Sequence, residues 1–157
     1  MPSAFDHYGQ SKYLGEAGRG NSLTMRLSIV GRELENKTEL VEWIFAQAGK
    51  PAKGFAGVKY SGITTECVVR EVIRVLEKFP ELSGVYHVSS ETITKYEIMQ
   101  KLNAKFNLNI QIEKNNEHIS DKSLDCALYQ KATGFIKPNW DQMIDDLFAD
   151  RRFYERL

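Results

Sequence analysis

The chain is short of the features that usually narrow a protein's chemistry at once. It carries only 2 cysteines in 157 residues, Cys67 and Cys126, and they stand 59 positions apart. A disulfide scaffold or a metal knuckle needs more thiols or tighter spacing, so two reduced thiols in a cytoplasmic protein are expected. Neither sign of charge is in excess, since Lys plus Arg and Asp plus Glu both number 21. Such a balance offers no attracting field to nucleic acid or to an anionic membrane. The 3 histidines, His7, His87 and His118, lack ligand spacing, which argues against a metal site. No apolar run approaches the ~20 residues that span a bilayer. Met1 to Asp6 has neither a basic stretch nor an apolar core, so it does not read as a secretory leader. Internal repeats, low-complexity tracts and linkers are missing as well.

What is present looks ordinary for a folded domain: 42% hydrophobic and 27% charged residues. Helices and strands alternate along it. Asp6 to about Gly18 reads as a helix and Leu23 to Val30 as a strand. Leu40, Val41, Ile44, Phe45 and Ala48 recur at the helical period, giving a helix over 38–48 that Gly49 and Pro51 stop. A loop-rich stretch with short strands follows to Ile63. Val69, Val72, Ile73 and Leu76 form the apolar face of the next helix. Val85 to Ser89 is β-rich. Thr94-Lys95-Tyr96-Glu97 reads as a capping box, in which Thr takes one orphan N–H and Glu reaches back to another. Ile110 to Glu113 suggests a short strand and Leu124 to Ala132 a helix. Trp140, Met143, Ile144, Leu147 and Phe148 make the clearest amphipathic face. Alternation of this kind predicts an α/β fold. Yet only two segments, near Leu23 and Val85, are convincing sheet strands, so a doubly wound sheet would lack its beginning.

Tyr8 and Lys12 are four residues apart, which on a helix puts both side chains on one face. That pair suits a site where a carbonyl receives hydride and becomes an alkoxide that needs a proton. A phenol is a poor acid at neutral pH, with a free pKa of about 10, unless its anion is stabilised. An ammonium alongside does that, and can also hold a ribose hydroxyl. Spacing alone proves little. With 7 Tyr and 13 Lys in the chain, chance supplies about 0.6 such pairs.

Other segments add to it. Tyr8-Gly9-Gln10-Ser11-Lys12-Tyr13-Leu14-Gly15-Glu16 resembles the Y-G-x-S-K-x-x-G-E run of the extended short-chain dehydrogenases of the dTDP-4-dehydrorhamnose reductase type. Leu23 to Leu34 is similar to that family's following strand and substrate-side loop, and Leu40-Val41-Glu42-Trp43 to the helix after it. Tyr60 to Thr65, Gly84 to Ser90, Ser123-Leu124-Asp125, Gly134 and Pro138-Asn139-Trp140 continue the likeness in the family's order. The resemblance implies the later half of an NAD(P)-dependent reductase acting on a nucleotide-linked 4-keto-deoxysugar. A non-catalytic remnant and a sugar-nucleotide epimerase or dehydratase remain alternatives, since the last two use the same pair.

By that likeness Tyr8 is the catalytic acid, and Lys12 lowers its pKa and binds the cofactor ribose. Ser28 and Ile29 border the nicotinamide, or simply pack within their strand. Arg32, Lys53, Tyr60 and Ser61 fall where the family collects the sugar nucleotide, and guanidinium and ammonium groups suit a diphosphate. Arg26 reads as structural, Tyr86 and His87 as core, and Trp43 and Trp140 as packing residues.

The departure from the family is large. No G-x-G-x-x-G turn follows a strand, so the element that would hold the cofactor pyrophosphate is missing. The expected fold is a partial Rossmann-type sheet without its N-terminal strands, plus a small substrate-binding α/β portion. Residues 1–35 and 64–92 are assigned to the core remnant, and 36–63 and 93–157 to the substrate-binding portion. NADP and NAD are not distinguished, because the residue reading the adenosine ribose would lie in the missing half. Alone, such a chain is expected to be inactive. It should aggregate, or associate with an N-terminal half or with copies of itself, because it exposes a sheet edge and apolar helix faces.

Overall fold

A computed structural model describes residues 6–17 and 20–154. It shows a mixed α/β architecture of short, mostly parallel sheets with helices packed around them. The strand predicted over 23–30 is two strands. β1 (Leu23–Arg26) pairs in parallel with β6 (Gly84–His87), whereas β2 (Ile29–Val30) pairs in parallel with β5 (Ile63–Thr64). The break falls at Leu27-Ser28, where the chain changes neighbours: the N–H of Val88 donates to Arg26 O and that of Ile63 to Ser28 O, both at 2.9 Å. The apolar-polar alternation from Leu23 to Ser28 runs on through the break without a turn residue, so it gives no hint of such an exchange.

The stretch between 51 and 64 is more ordered than its composition suggests. β3 (Pro51–Phe55) runs parallel to β8 (Gln111–Asn115), and β4 (Val58–Tyr60) lies between β7 (Ile93–Thr94) and β9 (Ser120–Lys122). β7 and β9 are too short and too polar to be read from the sequence. Gly54 is required where β3 meets its neighbours, because a Cβ there would sit 2.6 Å from the Tyr96 ring and 3.0 Å from Ile112.

The helices start and stop for local reasons. α1 (His7–Leu14) opens on Asp6, whose carboxylate accepts the Gly9 N–H at 2.6 Å. α2 (Leu40–Phe45) is shorter than the predicted 38–48, and turns carry its apolar pattern on to Gly49. α3 (Thr65–Lys78) opens on Thr64. α4 (Lys95–Phe106) has the predicted capping box, Thr94 and Glu97 bonding each other's backbone, and ends on Asn107 in the left-handed region. α5 (Ala127–Thr133) closes on Gly134 at φ 69°. α6 (Trp140–Ala149) opens on Asn139, and α7 (Arg151–Tyr154) follows it.

The core lies between α2, α4 and α6. Val41, Ile44, Ile98, Met99, Leu102, Met143 and Leu147 are all buried, and truncating Leu102 to Ala would cost about 2–5 kcal/mol. Along the α4–α6 seam Phe106 meets Phe148 at 5.2 Å between ring centres. Lys101 pairs with Asp141, and Lys105 with Asp145 at 2.6 Å. Trp140 is buried, its indole N–H donating to Glu91 O at 2.8 Å. Trp43 is not packed away as expected but 40% exposed. The four predicted apolar residues of α3 are likewise exposed. Both cysteines are free. Among the described residues no helix is long and apolar enough to cross a membrane.

Candidate active site

Tyr8 and Lys12 stand one turn apart on the same side of α1, with Lys12 Nζ 5.4 Å from the centre of the Tyr8 ring. No residue of α1 is buried, and Tyr8 is 73% exposed. Beyond the C-terminal end of α1 the chain is tied to β1. Ala17 N–H donates to Thr24 Oγ1 at 3.1 Å, and Arg26 grips both oxygens of Glu16 at 2.6 Å. Hydrogen bonding from Arg26 outweighs burial and holds the Glu16 carboxyl below the ordinary carboxylate range.

Arg26 also lies 3.4 Å from Nε2 of His87, whose Nδ1 is 3.1 Å from Asp125 O. A guanidinium cannot accept, so Nε2 accepts and Nδ1 carries the proton donated to Asp125. Arg26 is thus held by Glu16 and His87 and also lines the groove beside them. His87 is half-buried and forms part of a groove wall rather than the core.

That groove, about 1030 Å³, is where the pair faces. Tyr8 and Lys12 line it together with Ser28, Ile29, Arg32 and Tyr60. Ile29 is 57% exposed on its wall. The Tyr60 hydroxyl donates to Ile29 O at 3.3 Å, and burial pushes its pKa up to about 12 against the lowering effect of the Ser28 hydrogen bond. Tyr60 is thus a neutral surface near physiological pH.

Arg32 is more committed than its sequence position suggested. It bonds Glu42 through Nε at 2.5 Å and Nη2 at 3.4 Å, and its guanidinium lies 4.4 Å from the centre of the Phe45 ring and 5.3 Å from that of Tyr154. Its partner Glu42 is buried. Lys53 lies apart from the groove, in an adjoining cavity of about 300 Å³ with Trp43 and Phe55. Glu39, Leu40 and Lys95 line both spaces. Ser61 reaches neither. It is 3% exposed, and its hydroxyl accepts the Leu124 N–H at 2.8 Å, so it positions backbone instead of facing a ligand. Lys95 and Glu39 went unnoticed in the sequence. The capping box could have placed Lys95 at the first position of α4.

The arrangement supplies a solvent-accessible phenol and an ammonium beside an open volume whose walls mix charges of both signs, such as Arg32 and Glu39, with apolar residues such as Leu27 and Ile29. It has a proton to give but no hydride source of its own. No protein-family model matches the sequence, and no curated protein matches it either. Solved structures do. dTDP-4-dehydrorhamnose reductase from Bacillus anthracis, in complex with NADP, superposes with a TM-score of 0.76 at 18% identity over 91% of this chain and 54% of that one.

The fold is that of the C-terminal part of the dTDP-4-dehydrorhamnose reductases.

A hypothetical dTDP-4-dehydrorhamnose reductase from Sulfolobus tokodaii matches at 0.69 with 28% identity, over 90% of this chain and 54% of its own. UDP-N-acetylglucosamine 4-epimerase from Bacillus cereus matches at 0.64 with 18% identity, over 83% and 46%. The chain therefore spans about half the length of these reductase and epimerase structures.

Proposed function

We propose that this chain supplies the proton-donating and sugar-binding side of an NAD(P)-dependent reductase of nucleotide-linked 4-keto-deoxysugars, working with a nucleotide-binding half. The observation that carries the reading is the Tyr8–Lys12 pair facing one groove with the Ser28–Ile29 segment. On this reading 1–35 and 64–92 belong to the cofactor-binding core and 36–63 and 93–157 to the substrate-binding portion.

The residues suit only part of a nicotinamide cofactor. Lys12 can hold its ribose and Ser28 and Ile29 can border its ring, but no pyrophosphate-binding turn is found among the described residues. When bound, such a cofactor supplies hydride to the ketone carbon. The chain's own part is the proton. Tyr8 holds it on its phenol oxygen and releases it to the oxygen of the reduced carbonyl, so ketone plus hydride plus proton gives the alcohol. Lys12 stabilises the tyrosinate left behind. Lys53 and Tyr60 contact the sugar nucleotide, with Arg32 available once its hold on Glu42 is shared.

Co-expression with a nucleotide-binding half ending just before Asp6 tests this. The reading expects oxidation of NADPH or NADH on adding dTDP-4-keto-6-deoxysugar, and a soluble complex that oxidises neither overturns it. A second reading, epimerisation, is favoured by the Bacillus cereus epimerase among the structural matches. It predicts an inverted nucleotide sugar with no net cofactor consumption. The non-catalytic reading predicts that Tyr8→Phe changes nothing.

A further inference from the structure

Glu66, in the first turn of α3, has a carboxyl oxygen that is buried without a hydrogen-bond donor. Among the described residues no other buried side-chain nitrogen or oxygen is left so, and folded proteins leave few. What faces this carboxyl is a second one, that of Asp150, where α6 gives way to α7. Two carboxylates in such a place repel, whereas a carboxylic acid can donate to a carboxylate. Burial is the strongest influence on Glu66. With Asp150 it raises the pKa above the ordinary 4.5, against the pull of the Glu66 backbone N–H and of Thr64.

Among the described residues no neighbouring cation is free to replace that proton. Arg32 is bonded to Glu42, and Arg70, one turn along α3, to Asp146 at 2.6 Å. Arg151 donates to Phe148 O at 2.7 Å and lies over the Phe148 ring, and Arg152 is exposed. Tyr154 belongs to the same cluster. Burial first, and then the charges of Glu66 and Asp150, push its phenol up, and its ring lies 5.3 Å from the Arg32 guanidinium. The four residues of α7 are too few to hold a helix by themselves. The Phe153 N–H bonds back to Asp150 O at 2.9 Å, so the seat of α7 depends on what surrounds Asp150.

We propose that a proton shared by Glu66 and Asp150 seats α7, so that the Tyr154 ring covers Arg32 in acid and withdraws as the pair gives that proton up. A carboxyl whose pKa is raised by folding contributes stability that is complete below its ordinary value and is lost as pH rises through the raised one. The cover therefore loosens toward neutral pH, leaving one face of Arg32 open. This goes beyond the reductase reading and does not depend on it.

Fluorine NMR of the full chain labelled with fluorotyrosine tests it, with Tyr154→Phe identifying the signal. From about pH 4 to about pH 8, a span that covers ordinary carboxyl titration and its upward shift, the wild-type Tyr154 signal should move from a docked to a free position. Glu66→Gln is uncharged throughout and still donates to Asp150, so its Tyr154 signal should stay docked. Asp150→Asn alters an exposed helix end, folds without disturbing the core, and should hold the signal in the same way. A wild-type Tyr154 signal that does not move, or a movement that survives in either folded variant, would overturn the proposal.

Discussion

Replacing Glu42 with Gln takes one negative charge from beneath Arg32 while keeping shape and volume. In the native protein that carboxylate is 6% exposed and accepts from Arg32 Nε at 2.5 Å, from Arg32 Nη2 at 3.4 Å and from the Glu33 N–H at 3.2 Å. The guanidinium side is only 16% exposed, held between two rings. Breaking a fully buried pair costs about 3–5 kcal/mol, and the residual exposure here brings the expected loss to roughly 2–4 kcal/mol. For a chain this long that lowers the melting temperature by roughly 5 to 15 °C. Thermal unfolding of Glu42→Gln, Arg32→Met and the double variant at neutral pH is the assay. The two single losses should be strongly non-additive, because the double variant leaves no orphaned charge. A loss under about 1 kcal/mol, within the range of exposed pairs, would refute the reasoning. It would mean that Arg32 is loosely held and free to swing onto a diphosphate in the groove.

Three further outcomes are expected. With the nucleotide-binding half present, Tyr8→Phe should cut turnover by about 10²-fold or more while sparing substrate binding, which equilibrium binding alongside single-turnover measurements separates. The Glu16 carboxyl is held low by Arg26, so its contribution to stability is present above the ordinary value of 4.5 and fades as pH falls through the lowered one. Urea midpoints of wild type minus Glu16→Gln should therefore shrink between neutral pH and acid, and a constant difference would contradict the pairing. Gly62→Ala would bring a Cβ within 2.5 Å of the Tyr60 hydroxyl, displacing it from Ile29 O and costing about 1–3 kcal/mol. An unchanged urea midpoint would show that Tyr60 is not fixed.

Some of this was legible in the residues. The four-residue step from Tyr8 to Lys12 needs only the helical period to bring both side chains together, and the Thr94–Glu97 box specifies its own geometry. The stripe on α3 could be recognised as apolar, but not which way it would face. That direction depends on Val75 entering the core and on Glu71 and Arg74 finding Tyr129 and Thr133 some sixty positions on, a long-range choice that periodicity does not encode. The change of partner at Leu27-Ser28 was hidden for a similar reason, since both ladders call for the same apolar residues. Tyr60 and Ser61 separated because adjacent residues of extended chain point to opposite faces. A family likeness carries both along, whereas Tyr60 lines the groove and Ser61 does not.

The way α1 is fastened has a mechanical consequence. Its hydrogen bonds to β1 run from Glu16 and Ala17, whereas Tyr8 lies eight positions away, near the far end. At about 1.5 Å per residue that is a lever arm of about 12 Å, so a tilt of about 5° at the anchor carries the phenol oxygen through about 1 Å. A displacement of that size is enough to spoil an in-line proton delivery. On the proposed reductase reading, whatever holds the outer end of this lever in place also sets how often the acid is within reach of its substrate.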